Sequence, residues 1–126
     1  MPDPPHPPPR RQKSYTGDTG LVYQYYFVGK RPALPTDPDA PATEYVFDVT
    51  SDRKLTFAVS VFLKPGALDA FAAAHGRPLT DPEQYAAAKL RFLRALDELD
   101  DMLHLGRRLS LDASNILDLL SPLGLE

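Results

Sequence analysis

A chain of 126 residues, 43% of them hydrophobic, can bury one real core and has no room for two. The absence of cysteine excludes disulfides, thiolate nucleophiles and Cys-based zinc sites together. The net charge of −3 is unevenly placed, with Arg10, Arg11 and Lys13 near the start and the acidic excess in the body, which argues against a surface for nucleic-acid phosphates.

Residues 1–14 hold prolines at 2, 4, 5, 7, 8 and 9 and read as a disordered, polyproline-type tail, since they bury too little apolar area to offset their ordering entropy. The tail has no apolar stretch of the kind a secretory signal needs, so the expected compartment is the cytoplasm. No apolar run anywhere is long enough to span a bilayer, and no membrane contact is expected. Pro5 to Arg10 matches the PxxPxR pattern of ligands for SH3-type grooves, a match that dense proline produces easily. A single domain is expected over 15–126.

Tyr15 to Gly20 is turn-forming, and Leu21 to Val28 is β-branched and aromatic throughout, which predicts a strand. Leu21, Tyr23, Tyr25 and Phe27 share one of its faces; Val22, Gln24, Tyr26 and Val28 share the other. Residues 29–43 carry prolines at 32, 35, 38 and 41, a spacing that disfavours strand pairing and helix alike and predicts a long surface connection. Glu44–Thr50 and Leu55–Leu63 alternate cleanly around the polar joint Ser51-Asp52-Arg53-Lys54, the pattern of a β-hairpin.

The periodicity then becomes helical. Pro65 suits a first turn and Gly76 an end. Thr80 with Glu83 forms a capping box for a second helix that should run to about His104. Its apolar stripe is Tyr85, Phe92, Leu96, Leu99 and Leu103. A short third helix is expected over about Asp112–Leu120, capped by Ser110 or Asp112 and docked by Ile116, Leu117 and Leu120. Strands followed by helices give an α+β fold: a three-stranded antiparallel sheet with two or three helices packed on one face.

Several patterns resemble chemistry. Asp18-Thr19-Gly20 is the tripeptide of aspartic proteases, whose mechanism needs two carboxylates sharing a proton; here it follows Tyr15-Thr16-Gly17 in a turn, and the C-terminal half is helical. Ser51-x-x-Lys54 has the spacing of penicillin-binding enzymes but falls in a hairpin turn, where the amine cannot reach the hydroxyl as it does across one helical turn. The acidic run from Asp97 to His104 places Asp100 and His104 one turn apart if the helix continues. Asp101-x-x-His104 supplies one motif where carboxylate-bridged metal sites use two, so no metal or other cofactor is expected.

Two function classes remain. An interaction or assembly module follows from the second face of the sheet, where Val22, Tyr26, Val28, Val46, Ala58 and Phe62 form an apolar patch of a kind that seldom stays open on a monomer. A homodimer, or a protein partner, would cover it. The alternative is a ligand-binding domain or enzyme with a Tyr-lined pocket between sheet and helices, joining Tyr23 or Tyr25 to Asp100 or His104. The lack of a recognisable catalytic set favours the first.

Overall fold

The computed structural model describes residues 12–123 apart from 19, 53 and 100. The proline-rich pattern of residues 5–10 therefore lies outside the described residues, as does Asp100. The elements are β1 (Lys13–Thr16), β2 (Val22–Pro32), β3 (Thr43–Thr50), β4 (Phe57–Leu63), α1 (Pro65–His75), α2 (Asp81–Glu98), α3 (Met102–Leu105), β5 (Arg108–Leu111) and α4 (Ile116–Leu120), closed by a 3₁₀ turn over Ser121–Leu123. The class is α+β, with one sheet in the order β1-β2-β3-β4-β5.

That sheet corrects the three-strand expectation. The predicted hairpin forms, with Phe47 opposite Val59 and Tyr45 opposite Val61. Two further strands flank the predicted three. β1 pairs antiparallel with β2, Lys13 opposite Tyr25 and Tyr15 opposite Tyr23. Lys13 and Ser14, assigned to the tail by composition, thus open the sheet. Gly20, at φ 90°, closes the β1–β2 turn in the left-handed region that favours glycine, and its N–H donates to Gly17 O. Asp18 and Gly20 of the Asp-Thr-Gly tripeptide lie at this turn, and Thr19 is outside the described residues. β5 lies parallel to β4, Leu109 opposite Val61, because residues 64–107 make a helical crossover between them.

The inner face carries the core. Tyr23, Tyr25, Tyr45, Phe47, Val49, Val59, Val61 and Leu63 are buried with Ala67 and Phe71 of α1, Ala88, Phe92 and Leu96 of α2, and Ile116 and Leu120 of α4. Phe47 lies flat on Phe92, with ring centroids 4.6 Å apart. Alanines at 87, 88 and 95 let α2 approach the sheet closely. The predicted capping box is present: Thr80 Oγ1 accepts from Glu83 N, and Glu83 accepts from Thr80 N. The same Glu83 carboxylate is gripped through both oxygens by Arg77, and these contacts pull its pKa down to about 2.

α2 ends at Glu98, six residues short of the expected His104. Leu99 is extended at φ −113°, and Asp101 starts α3 by accepting a hydrogen bond from His104 N. Asp97, in the last turn of α2, accepts from Tyr15 Oη at 2.9 Å and from Asp18 N at 3.1 Å, fastening the β1–β2 hairpin to the helix. The C-terminal helix is shorter than expected as well. Asn115 precedes it without a side-chain cap, and Leu119 is buried where Leu117 was expected. Asn115 instead bonds Ser110 O and Asp112 N, bracing the connection from β5.

Candidate functional site

The outer face of the sheet divides into two halves. Over β4 and β5 it is covered by the proline-rich connection. This segment folds back on its own sheet, with Ala33 N donating to Ala42 O, Asp37 N to Leu34 O and Ala40 N to Asp37 O. Asp37 and Asp39 both accept from the Arg108 guanidinium at 2.7 Å, and Lys64 Nζ lies 3.2 Å from Asp39. That guanidinium sits 4.3 Å from the centre of the Phe62 ring, which is only 1% exposed. Phe62 is therefore not part of an open patch, and the six-residue interface expected from the sequence loses one end. The expected connection over 29–43 is shorter than its prolines suggested: residues 29–32 pair with β3, Pro32 opposite Thr43 at the end of the ladder, and only 33–42 loop out, where the two aspartates reach the guanidinium that caps Phe62.

The electrostatics of this half close internally. The Asp39 N–H and then Arg108 hold Asp37 below the ordinary carboxylate range. Arg108 and then Lys64 do the same for Asp39. Beside them Arg31 donates to Glu44 at 2.9 Å and Ser60 Oγ donates to it at 2.6 Å, with Arg31 the larger cause of the lowered Glu44 pKa. Arg31 reaches this face because of a β-bulge between Phe27 and Gly29. Beyond the bulge, Lys30 stands opposite inward Tyr45 and Arg31 opposite outward Glu44, the reverse of uninterrupted alternation.

The other half is open. Val22 is 53% exposed and Val28 in the bulge 38%, with Tyr26, Val46 and Ala58 half-buried among them. Tyr26 Oη donates to Asp48 at 2.8 Å, so the carboxylate of this half is tied to its neighbour. Two shallow clefts indent it. One of about 160 Å³ is lined by Val22, Gln24, Thr50 and Ser51, and one of about 190 Å³ by Val28, Gly29, Lys30, Arg31 and Val46.

The sheet edges also differ. Gly17 N donates to Leu21 O, and alternation from that pair turns the backbone groups of Ser14 and Thr16 outward, where both residues are exposed. On β5 the outward carbonyl of Ser110 is occupied by Arg91 Nε at 3.2 Å and Asn115 Nδ2 at 2.9 Å. β5 is thus a plugged edge, while β1 presents backbone groups to solvent.

The residues expected to line a ligand pocket fall in different settings. Tyr23 and Tyr25 are core residues, 2% and 5% exposed, and Tyr25 meets Phe92 edge-on at 5.2 Å. His104 is on the surface, its Nδ1 2.9 Å from Asp101. Since α2 stops at Glu98, the acidic run is not one helical face, and Asp97 and Asp101 serve separate caps and joints. Among the described residues no group of three or more histidines and carboxylates is placed to hold a metal ion, and no helix is long and apolar enough to cross a membrane. A third cleft, of about 210 Å³, lies between β1, α2 and α4, lined by Tyr15, Leu90, Leu93, Arg94, Asp97, Leu119 and Pro122.

No family model matches the chain, and no curated protein and no solved structure matches it.

Proposed function

We propose that the protein is an interaction module that self-associates, packing the open half of its outer sheet face against the same face of a second copy. The observation that carries this reading is the exposure of Val22 and Val28 beside Tyr26, Val46 and Ala58 on a sheet whose other half is covered by the chain itself. A second copy is favoured over a strongly charged partner because the outward residues Val22, Gln24, Tyr26, Val28, Val46, Asp48 and Ala58 include a single charged side chain, Asp48. Asp48 is bonded to Tyr26, and Gln24 is bonded to the neutral Gln12. Sheet-on-sheet packing of this kind interdigitates side chains from the two faces.

The test is sedimentation equilibrium or light scattering over a wide concentration range, comparing the wild-type chain with V22D and V28D. A dimer weakened at least about tenfold by either substitution, equivalent to about 1.4 kcal/mol, supports the reading. A strict monomer at every concentration overturns it.

A further inference from the structure

On the helix side of the sheet, the cleft between β1, α2 and α4 combines apolar walls with a positive charge. Leu90, Leu93, Arg94 and Asp97 fall at i, i+3, i+4 and i+7 of α2, so they form one stripe about 10 Å long on that helix. It is a different stripe from Ala88, Phe92, Ala95 and Leu96, which are buried in the core. Leu90 and Leu93 are only half-buried. Tyr15 of β1, Leu119 of α4 and Pro122 complete the walls of a cleft of about 210 Å³.

The acidic end of this stripe is already satisfied. Tyr15 Oη lies 2.9 Å from each Asp97 carboxylate oxygen, and Asp18 N donates to Oδ1 at 3.1 Å. Burial first, and the Asp97 contact second, raise the Tyr15 pKa, so the hydroxyl stays protonated as a donor. Asp97 does not pair with Arg94 one turn back, and neither does the exposed Glu98 one turn on. Among the described residues the Arg94 guanidinium has no ion-pair partner. Other cations share that freedom, and by itself it selects nothing. What selects Arg94 is its place, in a cleft whose other walls are three leucines, a proline and a tyrosine ring tied to Asp97.

We propose that this cleft binds a small apolar monocarboxylic acid, its carboxylate held by the Arg94 guanidinium and its hydrocarbon part laid against Leu90, Leu93, Leu119 and Pro122. A guanidinium presents a planar fork that meets a carboxylate through two parallel N–H···O bonds, and it is more weakly hydrated than an ammonium. Leu90 lies one turn from Arg94, about 6 Å along the axis, so head and tail of one short molecule reach both. At about 30 Å³ for each water-sized group, the cleft takes about seven of them, a short acid and not a long fatty acid. A sugar or polyol would leave hydroxyls unpaired against the leucines. The site is independent of self-association through the outer face, because no residue lines both.

The experiment is an NMR titration of the full chain with hexanoate near neutral pH, following the Leu90, Leu93 and Leu119 methyls and the Arg94 Nε–H. Acetate and hexanol serve as comparisons at equal ionic strength. Hexanoate should shift these signals together with a Kd of about 1–10 mM or tighter. Acetate and hexanol should bind at least about tenfold more weakly, because each offers only one half of the recognition. The R94Q variant should lose at least about tenfold in hexanoate affinity and keep its response to hexanol. R94K should fall between, since lysine keeps the charge without the fork. Unshifted Phe47 and Phe92 ring signals report that each variant is folded. Hexanoate that leaves the cleft signals in place, or that binds R94Q as it binds the wild type, overturns the proposal. So does hexanol binding as tightly as hexanoate, and so do shifts confined to Val22 and Val28, which would place the acid on the outer face.

Discussion

On the inner face, Phe47 is sealed by another ring: it lies flat on Phe92, and the layer around it is apolar from β2 to α4. On the outer face, Phe62 is equally hidden, but its cover is the Arg108 guanidinium held by Asp37 and Asp39. Both rings leave water, one by helix packing and the other by a polar latch built from a loop that forms no regular structure of its own. Burial by side-chain packing is insensitive to pH and salt over a wide range, whereas burial under paired charges responds to both. The difference shows that an apolar outward position need not signal a partner when the same chain can supply a charged strap for it.

The comparison is broken most severely from the inside. Phe47→Ala should cost about 3–5 kcal/mol, read as a lower midpoint in urea melts, because it removes a ring from a packed layer with little room to collapse. Arg108→Gln attacks the other cover. It should cost about 1 kcal/mol, within the range for a cation lifted off an aromatic face. It should also raise binding of a hydrophobic dye more than its small stability loss would imply, since Phe62 becomes accessible while the core persists. A dye signal unchanged from the wild type would show that the loop covers Phe62 without its latch.

Acid sharpens the contrast with a smaller effect. Asp37, Asp39 and Glu44 are each more acidic in the folded chain than in the unfolded one, so the folded state binds fewer protons. Their stabilisation is complete above the ordinary carboxylate range near pH 4 and is lost as pH falls through their lowered values. Glu83, at about 2, extends the same trend downward. The Asp39→Asn variant should therefore show a shallower fall of melting temperature between about pH 4.5 and 2 than the wild type. At the alkaline end the sign is the same, because the folded pKa is again the lower one. The Lys13 amine first, and burial second, depress Lys89 to about 8, so the unfolded chain binds the extra proton above that point. Stability should rise from about pH 8 until tyrosines ionise in the unfolded chain near pH 10, and Lys13→Gln should flatten that rise.

What the sequence disclosed follows from the range of the forces involved. The hairpin of β3 and β4 and the Thr80–Glu83 capping box are local patterns and were legible, although β4 starts at Phe57 and leaves the expected Leu55 exposed. β1 and β5 were not. Each has four residues, too few to display alternation, and each becomes a strand only by pairing with a longer neighbour. The break in α2 was hidden for a similar reason, since helical periodicity continues past Glu98 while the Asp97 contacts come from Tyr15 and Asp18, far away in the chain. The outer patch was half legible. Val22 and Val28 stand exposed where alternation put them, but nothing in the order of residues tied Asp37 and Asp39 to Arg108, and the bulge that brings Arg31 to Glu44 leaves no mark on the pattern. Of the residues expected to line a pocket, Tyr23 and Tyr25 lie in the core and His104 on the surface, because tyrosine on a strand reads alike whether it packs against a helix or lines a cavity.

The latch also orders events during synthesis. Asp37 and Asp39 wait for a residue 71 and 69 positions later, in the fifth strand to be made. Until the ribosome has released that segment, Phe62 has no lid, and the nascent hairpin carries a bare aromatic ring on its outer side. Closure of the proline segment over Phe62 is therefore a late step, one that a chain cut before β5 cannot make.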